Sequence, residues 1–104
     1  MNLREQIAAT QCHHEDVTIE EWGLTIRISE MSAREAIALG AQAKDPEKFA
    51  AALLAYSIVD ETGARAYDLA TISELMDKPR GPITKLLDVA RRVNGLDDEI
   101  VKKD

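Results

Sequence analysis

The chain has 104 residues, one cysteine (Cys12) and a formal net charge of −6, which sets a single small domain as the expectation and excludes an intrachain disulfide. The acidic balance, with basic residues interspersed among acids, argues against a nucleic-acid binder, which carries a basic stripe. Arg4, Glu5 and Gln6 interrupt any secretory leader, and no apolar run nears the roughly 20 residues of a membrane span. A reducing, cytoplasmic setting without membrane contact is therefore expected.

In chain order, Asn2 is a suitable N-cap for a short helix to about Thr10, with Leu3 and Ile7 on one face. "QCHHED" (Gln11 to Asp16) interrupts it. Val17 and Ile19 then alternate with polar residues, and after "EWG" Leu24, Ile26 and Ile28 do the same. These patterns predict a hairpin. A loop centred on Trp22-Gly23 would pair Glu20 with Thr25, Ile19 with Ile26, Thr18 with Arg27 and Val17 with Ile28. That register gathers the aliphatics on one face and makes Glu20 and Arg27 diagonal neighbours, whereas a slip of one residue would scramble both faces. Gly23 supplies the positive φ of a tight turn.

"SARE" is a capping box, Ser32 at N-cap and Glu35 at N3, opening a helix to about Ala43 with Ala36, Ile37 and Gly40 near one face. Asp45-Pro46 starts the next, to about Val59, bearing Phe49, Leu53 and Tyr56 with Ala50, Leu54 and Ile58 beside them. "DETGAR" (Asp60 to Arg65) reads as a turn. Asp68 caps a short helix with Leu69, Ile72, Leu75 and Met76. A last helix from about Pro82 carries Ile83, Leu86, Leu87, Ala90 and Val93 and stops at Asn94-Gly95. Leu96 can fold back on it. The predicted fold is α+β and mostly α: a short N-terminal helix, one β-hairpin and about four helices in one domain over 1–96, with a flexible acidic tail over 97–104. The hairpin aliphatics are expected to pack on the helices that start at Ser32 and Pro46, because an isolated hairpin is marginal in water.

Chemistry is hard to find. Cys12-His13-His14 are adjacent and cannot converge on one metal from a regular element, and no further Cys or His completes a tetrahedral set. No serine lies in a nucleophile elbow, no glycine pattern suits a phosphate, and Glu20-Glu21 point apart on a strand end. No catalytic, cofactor-binding or metal-binding residue is assigned, and no enzyme activity is expected. Trp22 reads either as a core residue or a lid over the hairpin's open end, or as an anchor for a partner, since tryptophan is enriched at interface hot spots. The ridge Ala50-Leu54-Ile58 is the other candidate partner surface. The fifteen alanines predict closely packed helices with a modest core.

The ordered set "EWGLTIRISEMSAREA", "AYSIVDETGARAY" and "LLDVARRVNGL" resembles the tail assembly chaperones of long-tailed bacteriophages and prophages over about Val17 to Leu96. The matching pieces are the Trp22-Gly23 turn, Ser32 with Glu35, the turn from Ile58 to Gly63, and Asn94-Gly95-Leu96. Tyr67 stands where the family often has Phe, and the break from Lys78 to Pro82 is more elaborate. The resemblance implies a non-catalytic protein that coats the tape measure protein, keeps it soluble and helps tail tube protein assemble around it. It implies action in the host cytoplasm and absence from the mature virion. Weak self-association in many copies would suit that role through avidity. The family also implies a longer frameshifted product, for which Lys102-Lys103 is a suitable place. A small acidic regulator or inhibitor of one folded partner is the alternative from the residues themselves.

Overall fold

The computed structural model describes residues 2–10 and 12–96. Helix α1 spans Leu3–Ala8, strands β1 and β2 span His14–Ile19 and Leu24–Ser29, and α2 and α3 span Ala33–Gly40 and Pro46–Ser57. They are followed by β3 (Ile58–Val59), α4 (Ser73–Met76) and α5 (Arg80–Val93). The fold is α+β, with a three-stranded antiparallel sheet in the order β1-β2-β3.

Three of the caps are where local chemistry places them, whereas Asp68 holds a turn at Ala70 and Thr71, and α4 starts at Ser73 without a side-chain cap. Asn2 with Glu5 and Ser32 with Glu35 each form a reciprocal capping box, and Asp45 accepts the amides of Glu47 and Lys48 with Pro46 in the first turn. Each satisfies donors that the first helical turn leaves without partners. Helix α5 begins at Arg80, two residues before the expected start. Pro82 is tolerated there because the third helical position needs no amide donor. At its other end Gly95 has φ +73, the Gly95 amide donates to the Arg92 carbonyl and the Leu96 amide to that of Arg91. This paired bonding is a Schellman motif, and Leu96 packs back on the core as expected. The tail over 97–104, with the Lys102-Lys103 junction, lies outside the described residues.

The hairpin register differs from expectation by two residues. Val17 pairs with Ile26, Thr18 with Thr25 and Ile19 with Leu24. Residues 20–22 form a 3-10 turn that ends on Gly23 at φ +65, so glycine is the last loop residue instead of the loop centre. A shift of two preserves parity, and Val17, Ile19, Ile26 and Ile28 still share a face. Arg27 therefore meets Asp16, with Nε–Oδ1 at 3.0 Å, instead of Glu20. Glu20 and Glu21 lie in the turn and not on a strand end.

A second correction concerns α3, which stops at Ser57 so that Ile58 and Val59 become a strand beside β2. Helical spacing would have carried both residues onward. Two β-branched residues here gain more from ladder bonds with Arg27 and Ile28. A third concerns what covers the hairpin: α5 lies against β1 and β2, α3 against α5, and α2 against α3. Helix α2 buries Leu39 alone among its residues, whereas α5 buries Ile83, Leu86, Val89, Ala90 and Val93. Ala36, Ile37 and Gly40 face outward.

One partly buried polar node ties these layers together. Asn94 Oδ1 accepts the Met31 amide at 2.8 Å, while its Nδ2 donates to Ser57 Oγ at 3.1 Å and to the Ala90 carbonyl at 2.8 Å. Ser57 is fully buried, and a buried hydroxyl needs such a partner.

Candidate partner-binding groove

A groove of about 570 Å³ runs beside β2 at the point where β3 ends. Its near wall is Trp22 and the β2 residues Leu24 to Arg27; Ile58 and Val59 close one end, and Ala66, Tyr67 and Leu75 form the far wall. Trp22 is set in place by the 3-10 turn, whose Gly23 amide donates to the Glu20 carbonyl at 3.1 Å. It is half-buried against the core and also faces the groove, so it has features of both a lid and an accessible aromatic.

The far wall is held by short-range bonding. The Asp60 carboxylate accepts Thr62 Oγ1 at 2.6 Å and the amides of Thr62 and Ala64 at 2.8 and 3.1 Å. These bonds, the Thr62 hydroxyl first, hold its carboxyl below the usual range. They reverse the chain, aided by Gly63 at φ +88. Asp68 does the same for the next turn by accepting the Ala70 and Thr71 amides at 2.9 and 2.8 Å. Arg65 is anchored from α2: its Nε donates to Glu35 Oε2 at 3.0 Å while Nη2 meets the other oxygen. The guanidinium holds the Glu35 carboxyl below its ordinary value. Glu35 thus joins the cap of α2 to Arg65, the neighbour of the groove residue Ala66.

The lining carries three carboxylates, Asp16, Asp60 and Glu61, against two cations, Arg27 and Lys78. Arg27 is occupied by Asp16, whose carboxyl it holds low. The remaining balance favours a basic partner.

Of the residues expected to meet a partner, Trp22 and Ile58 both line the groove, although Ile58 does so from β3. Leu54 is fully buried in the core and has no surface to offer, Ile58 is 4% exposed, and Ala50 lies half-buried on α3. Those three therefore form no accessible ridge: Leu54 turns into the core within α3, and Ile58 leaves the helix for β3. Leu24, Thr25, Ile26 and Tyr67 are groove residues that sequence reasoning did not single out. Their alternation and aromaticity read equally well as core. Cys12, His13 and His14 are exposed; His13 bonds through its backbone to Glu30, and His14 opens β1. Among the described residues no cluster of three or more His, Cys, Asp or Glu is placed to hold a metal, and no helix is long and apolar enough to cross a membrane.

A small hairpin-plus-strand sheet covered by helices is also the fold of a phage assembly factor. The solved structure of the bacteriophage HK97 tail assembly chaperone is similar to this chain, with a TM-score of 0.66 and 16% identity over 86% of this chain and 91% of that one. No protein-family model and no curated protein matches the sequence.

Proposed function

We propose that this chain is a tail assembly chaperone of a long-tailed phage or prophage. It binds the tape measure protein, keeps it soluble, and promotes assembly of tail tube protein around it. The observation that carries this reading is the fold shared with the HK97 chaperone over nearly the whole of both chains. The groove beside Trp22 supports it, because it offers apolar walls and an accessible aromatic to a protein partner. The chain acts by binding, without catalysis, in the host cytoplasm, and leaves before the virion matures. Its acidic surface keeps the coated client dispersed. Weak self-association places many modest contacts along one long client, where effective concentration multiplies each. Trp22 is the residue assigned to client contact.

Co-expression with the tape measure protein encoded nearby is the test. The client is expected to move from the pellet to the soluble fraction and to co-purify with several copies of this chain. A client whose solubility does not change refutes the assignment.

A further inference from the structure

We propose that the groove is a strand-addition site, in which an extended apolar segment flanked by basic residues pairs with β2 at Thr25. The inference rests on the chaperone reading and names a mode of client contact for it.

Backbone direction carries the argument. The Glu30 amide donates to the His13 carbonyl at 2.7 Å, and alternation along an antiparallel pair then turns Leu24, Ile26 and Ile28 toward β1. Thr25 and Arg27 turn the other way. The far side of β3 agrees: the Ala66 amide donates to the Ile58 carbonyl, and the Asp60 amide to that of Ala64. Residues 58 and 60 thus face away from β2, and Val59 faces Arg27, its register partner. Had β3 continued, residue 61 would stand opposite Thr25. The Asp60 turn removes the chain at that point. The Thr25 amide and carbonyl are left aimed into the groove, where no strand among the described residues lies opposite them. An extended chain in the groove takes the place that β3 vacates.

Side chains define the occupant. From Leu24 to Ile26, short of Arg27 where β3 pairs, the open edge is about 10 Å long at the strand rise, enough for a strand of about three residues. Leu24 and Ile26 stand on one face of the sheet, and Thr25 and Arg27 on the other. An added strand therefore presents apolar residues to the first face and polar ones to the second, as strand addition reads alternate positions. Glu61 and Asp60 at the groove outnumber Lys78 once Arg27 is held by Asp16, a balance that selects basic flanks.

The probe is a synthetic acetylated peptide, Lys-Val-Thr-Val-Thr-Val-Lys, against the full chain, with a counterpart carrying Glu at both ends. Trp22 is the sole tryptophan, so its emission reports occupancy. Saturable binding is expected, with exchange of the Thr25 amide hydrogen slowed at least about ten-fold and the acidic peptide at least about ten-fold weaker. Thr25→Pro removes the donor while sparing the β1 ladder, and it is expected to abolish binding. Leu24→Lys, at an exposed position, is expected to weaken it about ten-fold or more and covers the case in which the proline variant does not fold. Equal binding by the folded variants, or an unchanged Thr25 amide, overturns the proposal. Concentration-dependent protection of Thr25 in the free protein also overturns it, because the edge would then belong to a second copy. Co-expression separates the two readings. If wild type and Leu24→Lys keep the tape measure protein equally soluble, strand addition falls and the chaperone stands. If wild type fails, the chaperone reading falls.

Discussion

The two edges of the sheet are treated differently. Along the outer edge of β1, Lys85 of α5 donates to the Thr18 carbonyl at 2.8 Å, and Arg92 of the same helix clasps Glu15 at 2.6 Å. That helix covers the edge with long cationic side chains, a common way to blunt an unpaired strand. The edge of β2 is closed by β3 at Arg27 and Ile28 and is open beyond. One edge thus carries cationic side chains from α5, whereas the other is left by the chain beside its half-buried tryptophan.

Both regimes meet within β2, where the difference can be broken most directly. Ile28 is fully buried under the helices, and Leu24, four residues earlier, is 55% exposed at the groove. Ile28→Ala is expected to cost about 2–5 kcal/mol. Leu24→Ala should fall within about 0.5 kcal/mol. Urea unfolding measures both, and similar losses would mean that the groove end of β2 is packed like the rest. Ile26 is half-buried, so its truncation should fall between the two.

Next in size is Asn94→Ala, which removes the acceptor of the Met31 amide and the donor to buried Ser57. A loss of about 1–3 kcal/mol is expected from unsatisfied buried groups. A denaturation midpoint that does not move would show that the helices hold their places over the sheet without this node.

The third effect depends on pH. Arg65 lowers the Glu35 carboxyl below its ordinary value of 4.5. A group depressed in the folded state contributes stability above its unfolded pKa, and that contribution is lost as pH falls through the folded value. The wild type should therefore lose stability progressively below about pH 4.5, and Glu35→Gln should lack that part of the acid slope. Thermal melts from pH 7 to pH 3 on both proteins test it; parallel curves would mean that the Glu35–Arg65 pair contributes nothing to the acid slope.

The smallest expected change in stability sharpens the comparison most. Lys85→Ala should shift unfolding by no more than about 0.5 kcal/mol, since the side chain is exposed. It should nevertheless raise self-association in sedimentation, because the Thr18 carbonyl loses its cover. If association is unchanged, Lys85 is not what keeps that edge closed.

Features that local rules govern are legible along the chain. Capping at Asn2, Ser32 and Asp45, the glycine stop at Gly95 with Leu96 folded back, the Asp60 turn and the shared face of the hairpin aliphatics all depend on residues within a few positions of one another. Side-chain parity survived a register error because a slip of two residues moves no side chain to another face. Tertiary structure alone decided the rest. The register followed from the 3-10 turn of residues 20–22, which lengthens the loop ahead of Gly23, and β3 exists because β2 stands beside Ile58 and Val59 to pair with them. The last helix covers the hairpin because it has five apolar residues to bury where α2 has one, a competition between segments distant in the chain. Asn94 shows the division most plainly: as a helix stop it is legible from its glycine neighbour, whereas its bond to Met31, 63 residues away, has no local signature. The groove belongs to the same class. It is the space left where one strand ends and another continues, and no single segment encodes it.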